Sequence, residues 1–313
     1  MPRFKYHDIV DAQKSIDPIF RNTPQFECET LGAFLGCRVL LKVETVNPIR
    51  SFKGRGAELL TENTKEKVLM CASAGNFGQA MAWSCRKRGI HLTVYASVHA
   101  NAFKVSRMKE LGATVIQQGE DFDSSKELGR NFASTKDVRF VEDSLDVDTV
   151  IGAGTIGVEL SMGPITPDLI LVPLGNGALI NGIAMAIKNV LPNARIVGIQ
   201  SKNAPAMIES WRTGQTVTHE KIDTIADGIG VRIPVAAALS EMKELIDDGM
   251  LVGEDTIIKA MQLIRLHTGL IVEPSAAVGL AAMLENRELF SGKTVALVLT
   301  GSNLTGQQMQ EWF

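Results

Sequence analysis

Short, near-continuously apolar runs alternate with longer amphipathic segments along almost the whole chain, and no other feature narrows its fold as far. The runs at 67–72, 92–96, 114–116 and 138–141 have the length and composition of strands. Between them, 76–88, 101–111 and 121–135 have helical length and charge spacing. The alternation resumes with a strand at 169–173, a helix over 177–190 and a strand at 195–199. Helical stretches near 235–247, 254–268 and 275–288 then lead to a last strand at 294–299. Strands apolar on both faces need cover on both, the situation of a parallel sheet between helices. The expected class is therefore α/β with mostly parallel sheets. The 313 residues suffice for two domains. Gly-rich 151–163, with Pro164 and Pro167, breaks the alternation into two series without a long linker. Two sheets sharing a cleft are expected, and ligands in such folds sit beyond the carboxyl ends of the strands.

Composition limits the partners. Hydrophobic residues make up 45 % and charged residues 21 %, which excludes a disordered or low-complexity chain. The net charge is −3, with none of the basic excess that nucleic-acid binding leaves. No run approaches the ~18 apolar residues of a bilayer span, and no signal-like stretch follows Met1. Cys28, Cys37, Cys71 and Cys85 form no CxxC pair, which points to a reducing, cytoplasmic compartment and not to a disulfide or zinc scaffold. A small molecule is the expected partner.

Three segments resemble phosphate loops. Gly152-Ala153-Gly154-Thr155-Ile156-Gly157 matches G-x-G-x-x-G, but the acidic residue expected ~20 positions later is missing. A helix–loop junction that needs small residues for packing is the expectation there. Ser291-Gly292-Lys293-Thr294 lacks the leading Gly of a P-loop and precedes a strand instead of following one. Gly175-Asn176-Gly177-Ala178-Leu179 does follow an apolar strand and opens a helix. Its backbone N–H groups and the helix N-terminus suit an anion of phosphate size, and a ligand-free turn fits the segment equally well.

Lys53 stands in Ser51-Phe52-Lys53-Gly54-Arg55-Gly56, at the mouth of a helix. Burial lowers a lysine's pKa and frees its amine to form Schiff bases with carbonyls. An exposed Lys behind a Ser51 cap is the plainer alternative. Ser73-Ala74-Gly75-Asn76 again joins a strand to a helix, with N–H donors and one amide side chain for a carboxylate.

Taken in order, these segments resemble the fold-type II pyridoxal-phosphate enzymes, the tryptophan synthase β-like family, and within it the serine/threonine dehydratases. Thr23-Pro24 through Glu44, SFKGRGA from Ser51, SAGNFGQA from Ser73, GAGTIGVEL from Gly152, LGNGALING from Leu174, Ile225-Ala226-Asp227-Gly228, Glu273-Pro274-Ser275 and Thr300-Gly301-Ser302-Asn303 carry the likeness over nearly the whole chain. The resemblance implies two three-layer domains with the cofactor cleft between them. Residues 1–50 with 150–313 would form the large cofactor-binding domain, and 51–149 a small mobile one. It implies pyridoxal 5'-phosphate as cofactor, with Lys53 as Schiff-base lysine and catalytic base beside Phe52. Asn76 would meet the ring hydroxyl, and Gly175, Asn176, Gly177, Ala178 and Leu179 the phosphate. Thr300 would face the pyridine nitrogen, where a neutral hydroxyl favours elimination over transamination. Ser73, Ala74, Gly75 and Asn76 would hold the substrate carboxylate. The implied reaction is β-elimination from a β-hydroxy amino acid (serine, threonine or 3-hydroxyaspartate) to a 2-keto acid and ammonia, by a homodimer. A cysteine synthase-like β-replacement is the alternative, and a non-catalytic cofactor-binding protein a remoter one.

Departures from the family pattern refine this. Ala74 replaces the serine of racemases, which argues against two-faced proton transfer. Gln200 and Ala206 stand where metal-binding members carry carboxylates, so no metal site is expected. Asn47-Pro48-Ile49-Arg50 resembles the cysteine synthase branch; a solvated or phosphate-facing Arg50 is the expectation, and contact with a second acid group on the substrate the alternative. The chain stops just after the last motif, so no regulatory tail is expected.

Overall fold

The computed structural model describes all 313 residues. Ten strands form two sheets: β1 (Gln25–Glu27), β2 (Arg38–Val43), β3 (Val68–Ala72), β4 (His91–Ala96), β5 (Thr114–Gln117), β6 (Arg139–Val141), β7 (Leu169–Pro173), β8 (Arg195–Ser201), β9 (Asp248–Val252) and β10 (Thr294–Leu299). The six-stranded sheet runs β1-β2-β10-β7-β8-β9 and the four-stranded sheet β5-β4-β3-β6. Every pairing is parallel except β1 with β2.

Fourteen helices cover the sheets. They are α1 (Tyr6–Ala12), α2 (Glu29–Leu35), α3 (Lys53–Asn63), α4 (Asn76–Arg88), α5 (Ala102–Glu110), α6 (Phe122–Thr135), α7 (Val147–Ser161), α8 (Ala178–Val190), α9 (Ala206–Thr213), α10 (Ala236–Leu245), α11 (Glu254–Thr268), α12 (Pro274–Glu285), α13 (Arg287–Phe290) and α14 (Gly306–Trp312). The alternating faces of β10 show why its sequence is apolar throughout. Val295, Leu297 and Leu299 pack into a core with α11 and α12, while Ala296 and Val298 enter a second core with α7 and α8. That second core continues through α3 to Leu69, Cys71 and Val94 of the small sheet, so one apolar body joins the two sheets.

Each sheet has one point where the chain reverses its direction of strand addition. In the small sheet β4 and β5 add on one side of β3, and β6 returns to the other. In the large sheet β8 and β9 add on one side of β7, and β10 returns to the other. Crevices open beyond the carboxyl ends at such points. Here they follow Ala72 and Val141 in one sheet, and Pro173 and Leu299 in the other.

Two expectations need correction. Residues 151–163 are no helix–loop junction: Gly152, Gly154 and Gly157 lie inside α7, a fifteen-residue, largely buried helix. Their smallness serves close contact between helices. A Cβ on Gly154 would come within 2.9 Å of the Gly182 carbonyl oxygen on α8, and one on Gly152 within 2.6 Å of Gly56 Cα on α3. Periodicity does not separate a glycine that breaks a helix from one that admits a neighbour. The stretch 235–247 is helical only to Leu245, and β9 follows directly. Its half-polar sequence, Asp248-Gly249-Met250-Leu251-Val252, is that of an edge strand and forms no apolar run. Strands β1 and β2 add to those expected from the sequence.

Helix contact this close tolerates little. Gly182→Ala places a methyl group 2.3 Å from the Val150 carbonyl oxygen. The variant is expected to lose about 1–3 kcal/mol of stability, read from the urea unfolding midpoint.

Candidate active site

The four crevice-lining segments converge on one cleft of about 460 Å³. It is lined by Phe52, Lys53, Ser73, Ala74, Gly75, Asn76, Gly175, Asn176, Gly177, Leu179 and Thr300. These are all the anticipated site residues except Ala178, a buried residue outside the lining. Arg50 also stands apart. It is solvent-exposed with φ +52°, and its carbonyl accepts a hydrogen bond from Ser302 N at 3.0 Å.

Lys53 is the first residue of α3, and its placement is set by the chain before it. Ser51 bridges to Gly301, and Phe52 N donates to the Thr300 carbonyl at 3.0 Å. This ties the lysine to the end of β10. The Ser51 hydroxyl is buried without a partner, so it does not cap the helix. Lys53 Nζ lies 4.7 Å from the centroid of the Phe52 ring and pairs with Asp143. Only 16 % of its side chain is exposed.

Asp143 follows β6 in a turn stitched to the loop after β7. Asn176 Nδ2 donates to Asp143 Oδ2 at 2.8 Å, and Ser144 Oγ donates to the Asn176 carbonyl at 2.8 Å. Ser144 adopts φ +72°, a left-handed conformation costly for a non-glycine residue. Asp143 Oδ1 is buried and unpaired. On the other side of the stitch, Gly175–Gly177 lead into α8, with Gly177 at φ +99°. A Cβ on Gly177 would sit 2.7 Å from that of Ala238, so glycine is required there for both reasons.

The loop after β3 forms the opposite wall. Ser73 Oγ accepts hydrogen bonds from Gly75 N at 3.1 Å and Gly78 N at 2.8 Å, organising the start of α4. Asn76 Nδ2 donates to Glu273 Oε1 at 2.7 Å. Lys104 of α5 is buried over this loop, with its ammonium 3.8 Å from where a Gly75 Cβ would lie, and it pairs with Asp227. Burial disfavours that ammonium, but Asp227 and Glu273 outweigh the cost and hold its pKa above the usual lysine value. Burial pushes the Glu273 carboxyl up, and Lys104 only partly opposes it.

Behind Lys53 lies a buried ion cluster. Arg55 donates to Glu44 at 2.8 and 2.9 Å, and to Glu159 at 2.7 and 2.9 Å. Lys42 Nζ donates to Glu159 at 2.5 Å. Two cations face two carboxylates, joining β2, α3 and α7. Burial would raise the Glu159 pKa, but Arg55 and Lys42 more than reverse this and bring it to about 2.

Sequence reasoning missed Asp143 and Lys104 and gave Glu273 no role beyond its motif. Lys104 looks like any basic residue of an amphipathic helix. Asp143 gains meaning only when the strand order puts the end of β6 beside β3.

The donor set fits one cofactor class. It combines a poorly exposed amine, a glycine cradle at a helix N-terminus, a free amide hydrogen on Asn76 and the neutral Thr300 hydroxyl. The sequence profile of pyridoxal-phosphate dependent enzymes matches residues 16–301. The chain belongs to this family. The L-threonine ammonia-lyase of Thermotoga maritima is 32 % identical over 301 residues, 95 % of this chain and 75 % of that protein. Among solved structures, the processed form of threonine deaminase isoform 2 from Solanum lycopersicum aligns with TM-score 0.91 and 26 % identity. That alignment covers 98 % of this chain and 86 % of the deaminase. Maize serine racemase aligns with TM-score 0.92 at 26 % identity, over 98 % and 96 % of the two chains. The two sheets, their parallel order and the pyridoxal phosphate dependence are thus those of this family. No helix is long and apolar enough to cross a membrane.

The ion cluster has a pH signature. Glu159 has a folded pKa below its ordinary value, so its contribution is complete above about pH 4.5 and lost as pH falls toward 2. Thermal unfolding of the wild type is expected to drop steeply across that window. Glu159→Gln, less stable at neutral pH by about 3–5 kcal/mol, is expected to show a flatter profile there.

Proposed function

We propose that the chain is a pyridoxal-phosphate-dependent ammonia-lyase. It takes a β-hydroxy amino acid (serine, threonine or 3-hydroxyaspartate) to a 2-keto acid and ammonia by β-elimination. One observation carries the reading: Lys53 shares a cleft with the glycine cradle of α8 and with a carboxylate loop whose second residue, Ala74, bears no acid or base. In this reading Lys53 holds the cofactor, with Phe52 beside it. The backbone of Gly175, Asn176, Gly177, Ala178 and Leu179 holds the phosphate, Asn76 the ring hydroxyl and Thr300 the pyridine nitrogen. Pyridoxal phosphate, when bound, supplies the electron sink that lets a Cα–H bond break.

The chain's own groups do the rest. The N–H groups of Ser73–Asn76, at the start of α4, receive the substrate carboxylate. Lys104 adds a positive charge behind that loop. Lys53 Nζ removes the Cα proton as general base. Loss of that proton and of the β-hydroxyl as water leaves an enamine, which hydrolyses to keto acid and ammonia. Alanine at 74 removes the hydroxyl that could return a proton to the opposite face, and the Ser73 hydroxyl beside it is engaged with Gly75 N and Gly78 N, which supports elimination over racemisation.

We further propose that 51–149 acts as a small domain whose mobile part is its sheet, with α3 held on the large domain by Arg55 and the Gly56–Gly152 contact. Its attachments across the cleft mouth are polar, with Lys104 on Asp227, and Arg232 on Asp121 at 3.3 Å and Asp123 at 3.2 Å. Four free cysteines support a reducing, cytoplasmic setting. Among them, burial pushes the Cys85 thiol up to about 12, leaving it unreactive. The family likeness supports a homodimer, and light scattering on the eluting protein tests it.

The decisive experiment is the visible spectrum of the purified protein as L-serine, L-threonine and 3-hydroxyaspartate are added in turn. A cofactor band with keto acid and ammonia from one of them is the expected result. Lys53→Ala should abolish both the covalent cofactor band and turnover. A variant that kept both would overturn the assignment, and turnover that required an added sulfur nucleophile would move it to β-replacement.

A further inference from the structure

Asn76 can serve a cofactor's ring oxygen only if its amide presents nitrogen, not oxygen, to the cleft. Which way an amide points is decided by its partners. Asn303 Nδ2 donates to the Ile49 carbonyl at 2.9 Å and to Asn76 Oδ1 at 2.8 Å, which uses both of its hydrogens. Asn76 Oδ1 is therefore committed. Asn76 Nδ2 gives one hydrogen to Glu273 Oε1 at 2.7 Å and keeps the other. Glu273 Oε2 accepts from Asn303 N at 3.0 Å. The carboxylate thus receives a donor on each oxygen and has no hydrogen to offer.

The surroundings are built around this group. Glu273 is 3 % exposed, and its own N–H donates to the Gly301 carbonyl at 3.0 Å. A Cβ on Gly301 would lie 2.3 Å from Glu273 Oε1 and 3.0 Å from Asn76 Nδ2. Residue 301 must be glycine for the carboxylate to reach the amide. Glu273 begins the segment into α12 and Asn303 follows β10, whereas Asn76 opens α4 beyond the small sheet. The chain of hydrogen bonds therefore crosses the cleft.

We propose that Glu273 is a positioning residue, which with Asn303 locks the Asn76 amide so that its remaining N–H faces the cofactor's ring oxygen. This rests on the family reading in that Asn76 serves that oxygen. A carboxylate is required for the task. Glutamine at 273 has one acceptor for two donors, so its NH2 meets either Asn76 Nδ2 or Asn303 N. Flipping Asn76 in response would only bring its Nδ2 against that of Asn303. A leftover donor cannot be accommodated in so buried a place without losing the alignment.

A hydrogen bond donated to the ring oxygen favours its ionised form. The ratio of the cofactor's long- to short-wavelength visible bands reports this in substrate-free enzyme. Glu273→Gln is expected to shift the ratio toward the short-wavelength form and to weaken cofactor binding about tenfold. Glu273→Gln combined with Asn76→Ala should equal Asn76→Ala alone, because Glu273 acts through the amide. Asn303→Ala, which leaves the carboxylate in place, should shift the ratio in the same direction and carries the test if Glu273→Gln does not fold. A folded Glu273→Gln with wild-type ratio and affinity, an Asn303→Ala with unchanged ratio, or additive effects in the double variant would overturn the proposal. A wild type without any visible band would instead remove the family reading on which it stands.

Discussion

Arg55 is completely buried, and the architecture around the cleft is arranged so that it can be. A guanidinium out of water is tolerable only with its charge matched and its N–H groups occupied. Glu44 arrives on the segment after β2, Glu159 on α7 and Thr155 one turn earlier on the same helix, where its hydroxyl accepts from Arg55 at 2.9 Å. Lys42 completes the balance from β2 itself. Three parts of the chain, β2 with the segment after it, α3 and α7, are thereby held in one orientation. Lys53 lies two residues from Arg55, on the first turn of α3, so the direction of the reactive amine follows from that of the buried cation.

A second constraint is steric. Helices α3, α7 and α8 approach at Gly56, Gly152, Gly154 and Gly182, with no room for a single methyl group between them. Close helix contact lets the apolar body run unbroken from the large sheet to the small one. The polar groups of the cleft then sit on a rigid base, which is what fixed placement of catalytic groups requires. Ser144 shows the same rigidity locally, because its left-handed backbone is maintained by Thr149 on one side and Asn176 on the other.

Much of this was legible beforehand. The interior strands announced themselves as apolar runs because both of their faces are covered, and 169–173 and 294–299 agree with the structure to the residue. The cleft was legible through residues whose types are unusual in their setting: Lys53 between an aromatic and glycines, and the glycine loop before α8. Edge strand β9 was not, because exposure on one side dilutes its pattern. The packing role of Gly152–Gly157 was legible but not their place inside a helix, since a glycine that admits a neighbouring helix reads like one that ends its own. Asp143, Lys104 and Glu273 fall in the same group. Their roles come from residues far away in sequence, such as Asn176, Asp227 and Asn76, and a single sequence carries no distances.

The strand order also dictates when each sheet can be completed. The small sheet is contiguous, since all its strands lie between Val68 and Val141, and a growing polypeptide can assemble it once about half the chain has left the ribosome. The large sheet cannot close so early. Strand β2 pairs only with short β1 and with β10, so Leu40 waits for Ala296 and Val43 for Leu299. Until the last strand emerges, β2 and β7 are separated by an unfilled place in the sheet, and the tie from Phe52 N to the Thr300 carbonyl, next to the lysine, is missing. Completion of β10 and of Thr300 behind it therefore closes the larger sheet and ties down the segment that carries the lysine.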